Sequence, residues 1–99
     1  KTSPSWFGLP ILIKKKINFK RKKFIAYLNK FKIENRPIVS GNFLSQPAIK
    51  LYKLKTKGTF KNADLVQKSG FFIGLHTTKL TQLKVNYIVE KLLDIDLIK

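Results

Sequence analysis

The chain has 99 residues, 43% of them hydrophobic, which is material for one modest core and too apolar for a disordered tail. It carries 21 Lys+Arg against 5 Asp+Glu, a formal net charge of +16, and no cysteine. This excludes a disulfide framework and a thiolate metal site, and it makes the chain adhere to polyanions at low salt whatever its evolved purpose.

Most of the cations are lysines, and Lys, Ile, Asn and Phe dominate the composition. Their codons are AT-rich, and a genomic base bias is able to produce much of this charge without a dedicated nucleic-acid role. The longest apolar run, residues 7–13, is far too short to span a bilayer, and lysines follow it where a signal peptide would have them first. A cytoplasmic location without membrane insertion is the expectation. Lys1-Thr2-Ser3-Pro4-Ser5 leads straight into a strand-like stretch, as in a chain cut from something longer.

Residues 5–13 read as a strand, rich in aromatic and branched side chains, with Pro10 placing it at an edge. Asn18 is the candidate cap of a helix over 20–31, where Phe24, Leu28 and Phe31 recur at i, i+4, i+7 beneath a lysine-rich solvent face. Residues 33–40 predict a second strand, again at an edge because of Pro37. Gly41-Asn42 turns the chain, and Ser45-Gln46-Pro47 opens a short helix. Residues 62–67 predict another, with Asn62 as cap, Asp64 near the positive end of its dipole and Ser69-Gly70 as its close.

Residues 71–75 predict a third strand, buried on both faces, in which Gly74 allows close backbone approach. Thr81 caps a last helix striped by Val85, Ile88, Val89, Leu92 and Leu93, which frays at Asp94 and Asp96 because acids oppose its dipole there. The order β-α-β-α-α-β-α describes a small α/β (α+β) sandwich: about three strands with helices on one face.

The polar cluster around the second strand stands out. Arg36 before it and Asn42 and Gln46 after it are able to converge on one anionic or hydroxylated ligand, or simply to satisfy local backbone groups. Other chemistry finds little support. One His and no Cys leave a zinc site dependent on distant carboxylates. There is no phosphate-loop or dinucleotide fingerprint, no serine on a nucleophile elbow, and too few acids for paired-carboxylate catalysis. No catalytic residue and no metal ligand is assigned. A small basic nucleic-acid-binding module remains an alternative, resting on the charge and on Phe71 and Phe72 as stacking platforms.

Four blocks carry a family likeness. Glu34-Asn35-Arg36-Pro37-Ile38-Val39-Ser40-Gly41-Asn42-Phe43-Leu44-Ser45-Gln46-Pro47-Ala48 resembles the TRPI-x-x-GN-x-x-x-QPA segment of the DegT/StrS sugar aminotransferase family. Gly58 with Asn62-Ala63-Asp64, and Gly70-Phe71-Phe72-Ile73-Gly74-Leu75-His76, are similar to its G-x-x-x-NAD and GFFIG-x-H segments. Ser5-Trp6-Phe7-Gly8-Leu9-Pro10-Ile11 resembles the opening strand of its 3-dehydrase branch.

The resemblance implies the C-terminal small domain of a fold-type-I enzyme using pyridoxal or pyridoxamine 5'-phosphate. Such enzymes modify nucleotide-linked 4-keto-6-deoxy sugars for lipopolysaccharide and O-antigen deoxysugars, by 3-dehydration or, alternatively, transamination. It implies further that Arg36, Asn42, Gln46 and His76 face the sugar nucleotide, and that the full-length enzyme is a homodimer. The cofactor-bearing Lys or His, the phosphate loop and the pyridine-nitrogen carboxylate would lie in a large domain outside this chain, which alone would bind no cofactor. Ser45 stands where the family commonly has Arg or Lys, and Asn35 where Thr is usual.

Overall fold

The structure is a computed structural model that describes residues 2–14 and 21–94. Its centre is the apolar strand β3 (Gly70–Gly74), flanked by β1 (Gly8–Leu12) and β2 (Arg36–Pro37) in the order β1-β3-β2. Both pairings are antiparallel, with Leu9 opposite Ile73, Ile11 opposite Phe71, and Arg36 opposite Phe72. The two proline-bearing strands are the edges, where a missing N–H costs no ladder bond.

Opposed residues share a face. Leu9, Ile11, Phe71 and Ile73 therefore point one way, and Pro10, Arg36 and Phe72 the other. The first face is the core. Phe71 and Leu28 are fully buried there, joined by Ile13, Phe24, Ile33 and Ile73. Phe24 meets Phe71 edge-on at 5.6 Å, the favoured aromatic arrangement. The second face is thinly covered: Phe72 lies 5.8 Å from Phe7, itself largely exposed. Burial of β3 is thus deep on one side and partial on the other.

Helix α1 (Arg21–Lys30) supplies Phe24 and Leu28 to that core, as their spacing requires. Its proposed cap, Asn18, lies outside the described residues. It ends in a Schellman turn: Ile33 N–H donates to the Leu28 carbonyl and Lys32 N–H to that of Asn29, both at 3.0 Å. Lys32 takes the left-handed conformation, φ 56°, that glycine usually fills. The hydrophobic contact that accompanies such turns is Ile33 against Leu28 within the core.

Several predicted limits move. The first strand pairs over Gly8–Leu12, although Phe7 and Ile13 each add one backbone bond beyond it. The second shrinks to Arg36–Pro37, because Ile33 belongs to the helix end and Ser40 turns at φ 53°. The segment after Gly41 forms two 3₁₀ turns, Phe43–Ser45 and Pro47–Leu51, in place of one short helix. Helix α2 (Lys61–Ser69) begins earlier than read; Phe60 is its cap residue and Asn62 sits inside the first turn. At Gly74 an added Cβ would meet nothing within 4 Å, so close approach is not its role.

Helix α2 gives no fully buried residue, and its Leu65 and Val66 are half-buried. The Arg21 guanidinium donates to the Gln67 and Gly70 carbonyls at 2.9 and 2.8 Å, a cation at the negative end of the helix. Helix α3 (Gln82–Leu93) is capped by Thr81, whose Oγ1 accepts from Lys84 N–H, and it stops before Asp94. Its Ile88 and Leu92 pack against the core, while Val89 and Leu93 remain largely exposed. No helix among the described residues is long and apolar enough to cross a membrane.

Candidate functional site

The turn after β2 is built around Gly41 and Asn42. A Cβ at Gly41 would stand 2.8 Å from the backbone N and Cα of Gln67, so only glycine fits against α2 there. Asn42 is the buried polar residue of the described structure, at 7% exposure. Its Nδ2 donates to Asp64 Oδ1 at 2.6 Å, its Oδ1 accepts from Leu44 N–H at 3.0 Å, and its own N–H donates to Gln67 Oε1 at 3.0 Å. Ser45 Oγ closes the cluster on the Asn42 carbonyl at 2.8 Å. These polar groups clamp the turn onto α2. Asp64, read from sequence only as a dipole partner, is half of that clamp.

Gln46 sits between the two 3₁₀ turns, half-buried, its N–H bonded to the Phe43 carbonyl. Arg36 projects from the outer sheet face, and its Nε and Nη2 donate to Glu34 Oε1 at 3.3 and 3.0 Å. With side chains 69% and 79% exposed, this pair contributes ~0–1 kcal/mol and leaves the guanidinium free to exchange partners. His76 lies two residues past β3, exposed.

A concavity lies elsewhere. An open groove of about 1030 Å³ runs between the end of β3 with the residues after it and helix α3. Leu75, Leu83, Val85 and Val89 contribute apolar wall; Lys32, Glu34, His76, Lys79 and Lys84 bring charge or polarity. Of the four residues predicted to face a ligand, His76 lines this groove, and Arg36 comes near it only through Glu34. Asn42 and Gln46 do not line it. Within this chain the groove includes His76, while Asn42 is held in the clamp on α2 and Arg36 is paired with Glu34. The reason is physical: burial and α2 hold Asn42, while strand register turns Arg36 to the outer face.

Behind the groove, Lys91 Nζ lies 2.6 Å from Glu90 Oε1 and over the rings of Phe31 and Tyr87 at 5.0 and 5.8 Å. The bond to Glu90 raises the Lys91 pKa. Burial, then the nearby Asp94 carboxylate, pushes the Tyr27 phenol above its ordinary value.

The fold and these segments match a known class. The profile of the DegT/DnrJ/EryC1/StrS aminotransferase family covers residues 1–93, and the chain belongs to that family. It is 33% identical over 91 residues to lipopolysaccharide biosynthesis protein RfbH of Salmonella typhimurium, covering 92% of this chain and 21% of that protein. It is 37% identical over 89 residues to GDP-4-keto-6-deoxy-D-mannose 3-dehydratase of Escherichia coli O55:H7, covering 89% of this chain and 23% of that one. A crystal structure of GDP-4-keto-6-deoxymannose-3-dehydratase with a trapped PLP-glutamate geminal diamine superposes with TM-score 0.79 at 36% identity, over 88% of this chain and 22% of the other. A variant of that enzyme with bound GDP-perosamine gives 0.78 at 35% identity, over 86% and 22%. The chain thus spans about a fifth of the length of the relatives it matches.

Proposed function

We propose that this chain is the C-terminal part of a pyridoxal/pyridoxamine-phosphate-dependent enzyme that removes the 3-hydroxyl of a nucleotide-linked 4-keto-6-deoxy sugar. Its place is cytoplasmic deoxysugar synthesis for lipopolysaccharide or O-antigen, in a homodimer when full length. The observation that carries the reading is the 0.79 TM-score at 36% identity to a 3-dehydratase, a likeness of both fold and residues. Transamination is the second reading, favoured by the name of the family itself. The nucleic-acid reading weakens, since Phe71 is fully buried and Phe72 packs with Phe7.

The cofactor supplies an electron sink when bound. This chain's own residues do not amount to a cradle for it: the lining of the groove is mainly apolar, and its Glu34 is paired with Arg36. The contribution of the chain is to shape and position. Arg36, a planar fixed cation on the sheet, and His76, at the groove, are the groups free to meet phosphate or sugar oxygens. Gln46, half-buried between the two 3₁₀ turns, is the third polar group of this set. Asn42 acts by fixing the turn between Arg36 and Gln46.

The experiment is to express the gene product with whatever coding sequence precedes the Lys1 codon and supply GDP-4-keto-6-deoxymannose, the cofactor and an amine donor. Loss of the 3-hydroxyl supports dehydration; an amino sugar as product supports transamination. No sugar product with a correctly folded, cofactor-loaded protein overturns the reading for this substrate class.

A further inference from the structure

We infer that Asp64 and Gln67 of α2 are positioning residues for the sugar nucleotide. Through Asn42 they hold the turn that aims the Gln46 carboxamide, and so they set how tightly the substrate is held rather than how fast it reacts. The inference rests on the reading above that Gln46 meets the sugar nucleotide, and it adds two residues of a separate helix to that site.

Gln46 is held through its backbone. Its N–H donates to the Phe43 carbonyl at the end of the Phe43–Ser45 turn, and Pro47 after it favours the extended conformation it adopts, ψ 139°. Its side chain does not cap the turn that follows. The direction of that side chain is therefore set by the Phe43–Ser45 turn, and Asn42 opens that turn. Asn42 is in turn fixed by α2. The two ends of its carboxamide are committed in opposite senses: Nδ2 donates to Asp64 Oδ1 at 2.6 Å, and Oδ1 accepts from Leu44 N–H at 3.0 Å. Gln67 Oε1 takes the Asn42 N–H at 3.0 Å. The far end of α2 is anchored as well, where Arg21 donates to the Gln67 and Gly70 carbonyls. A chain of bonds thus runs from the start of β3 through α2 to the residue before Pro47. The Asp64 bond lies outside the hydrophobic core, and what it restrains is the direction of one turn. Arg36 is placed by other means, through its pairing with Phe72 and the Asn35 bonds to Asn29 and the Ile33 carbonyl.

Asn42→Asp nearly keeps the shape, keeps the acceptor for Leu44 N–H and sets a second carboxylate against Asp64. In the gene product described above, with cofactor bound and GDP-4-keto-6-deoxymannose as substrate, it should raise KM by roughly tenfold and change kcat by no more than about twofold. Adding Asp64→Asn exchanges donor and acceptor across the same pair, remakes both bonds and should return KM to within about twofold of wild type. In a Gln46→Ala background, Asn42→Asp should add little to KM, because both act on one contact. Ile13→Val, a core truncation away from the clamp, should leave KM unchanged. Where Asn42→Asp disturbs folding, checked by circular dichroism, Gln67→Met serves in its place by removing the acceptor for the Asn42 N–H, with Gln67→Glu as its rescue. An unchanged KM, a rise that the exchange or rescue does not correct, or full additivity with Gln46→Ala overturns the inference while leaving the enzyme reading intact. A rise of the same size in Ile13→Val assigns the effect to lost stability and overturns it too. No conversion of the sugar nucleotide by the folded, cofactor-loaded wild-type product defeats both readings together.

Discussion

Helices α1 and α3 carry the same kind of apolar stripe, and the structure treats them differently. The Phe24 and Leu28 stripe of α1 is closed against β3, with Leu28 fully buried. The α3 stripe is closed only at Ile88 and Leu92; Leu83, Val89 and Leu93 stay exposed. Periodicity tells which face of a helix is apolar. It does not tell what covers that face, and in α3 the described residues leave part of it open.

The strongest way to break this contrast is truncation on each helix. Leu28→Ala should cost about 2–5 kcal/mol, a large part of the stability of a chain this size, and chemical denaturation would show the molecule largely unfolded or shifted far to low denaturant. Leu83→Ala should change stability by no more than about 0.5 kcal/mol in this chain. Equal effects would mean that α3 is as fully packed as α1.

The next largest effect is expected at the turn. Asn42→Ala removes the donor to Asp64 and the acceptor for Leu44 N–H, two part-buried hydrogen bonds, for a loss of about 1–3 kcal/mol in thermal or denaturant unfolding. Asp64→Ala should give a loss of the same order, and the double variant less than the sum, since the two share a bond. Full additivity would show that the clamp seen here is not formed in solution.

A smaller change sharpens the description of α1. Lys32 holds a left-handed conformation, so Lys32→Gly should stabilise by about 0.5–1 kcal/mol and raise the melting temperature by several degrees. A drop would show that the Schellman turn is not what ends the helix.

The smallest effect concerns alkaline pH. The Tyr27 hydroxyl is buried without a hydrogen-bond partner among the described residues, and its folded pKa is raised, so the folded state resists losing that proton. Stability is then level below the ordinary tyrosine value of about 10 and falls as pH climbs past it. Lys91 has the same sign for another reason. Its folded pKa is raised by Glu90, so its contribution is present below the ordinary lysine value and lost as pH rises through the folded one. Tyr27→Phe should leave neutral-pH stability unchanged or slightly higher and flatten part of the alkaline fall. An unaltered alkaline profile would assign the whole slope to lysines.

Much of this architecture is legible in the residues. Proline put both edge strands in place, the spacing of Phe24 and Leu28 located the buried face of α1, and the Gly70-to-His76 segment marked the central strand and the family. What was not legible depends on contacts between distant segments. Asn42 and Asp64 are 22 residues apart, and no periodicity links them. The length of β2 is set by a turn at Ser40 and by how closely Gly41 meets Gln67, both tertiary facts. Arg36 and His76 belong to separate motif blocks of one family pattern, yet strand register sends the first to the outer sheet face and chain direction sends the second to the groove.

Native-state hydrogen exchange tests the central contrast most directly. In this chain, amides of β3 and of α1 around Leu28 should exchange slowest, with α3 opening much more readily. Protection of α3 equal to that of α1 would contradict the account.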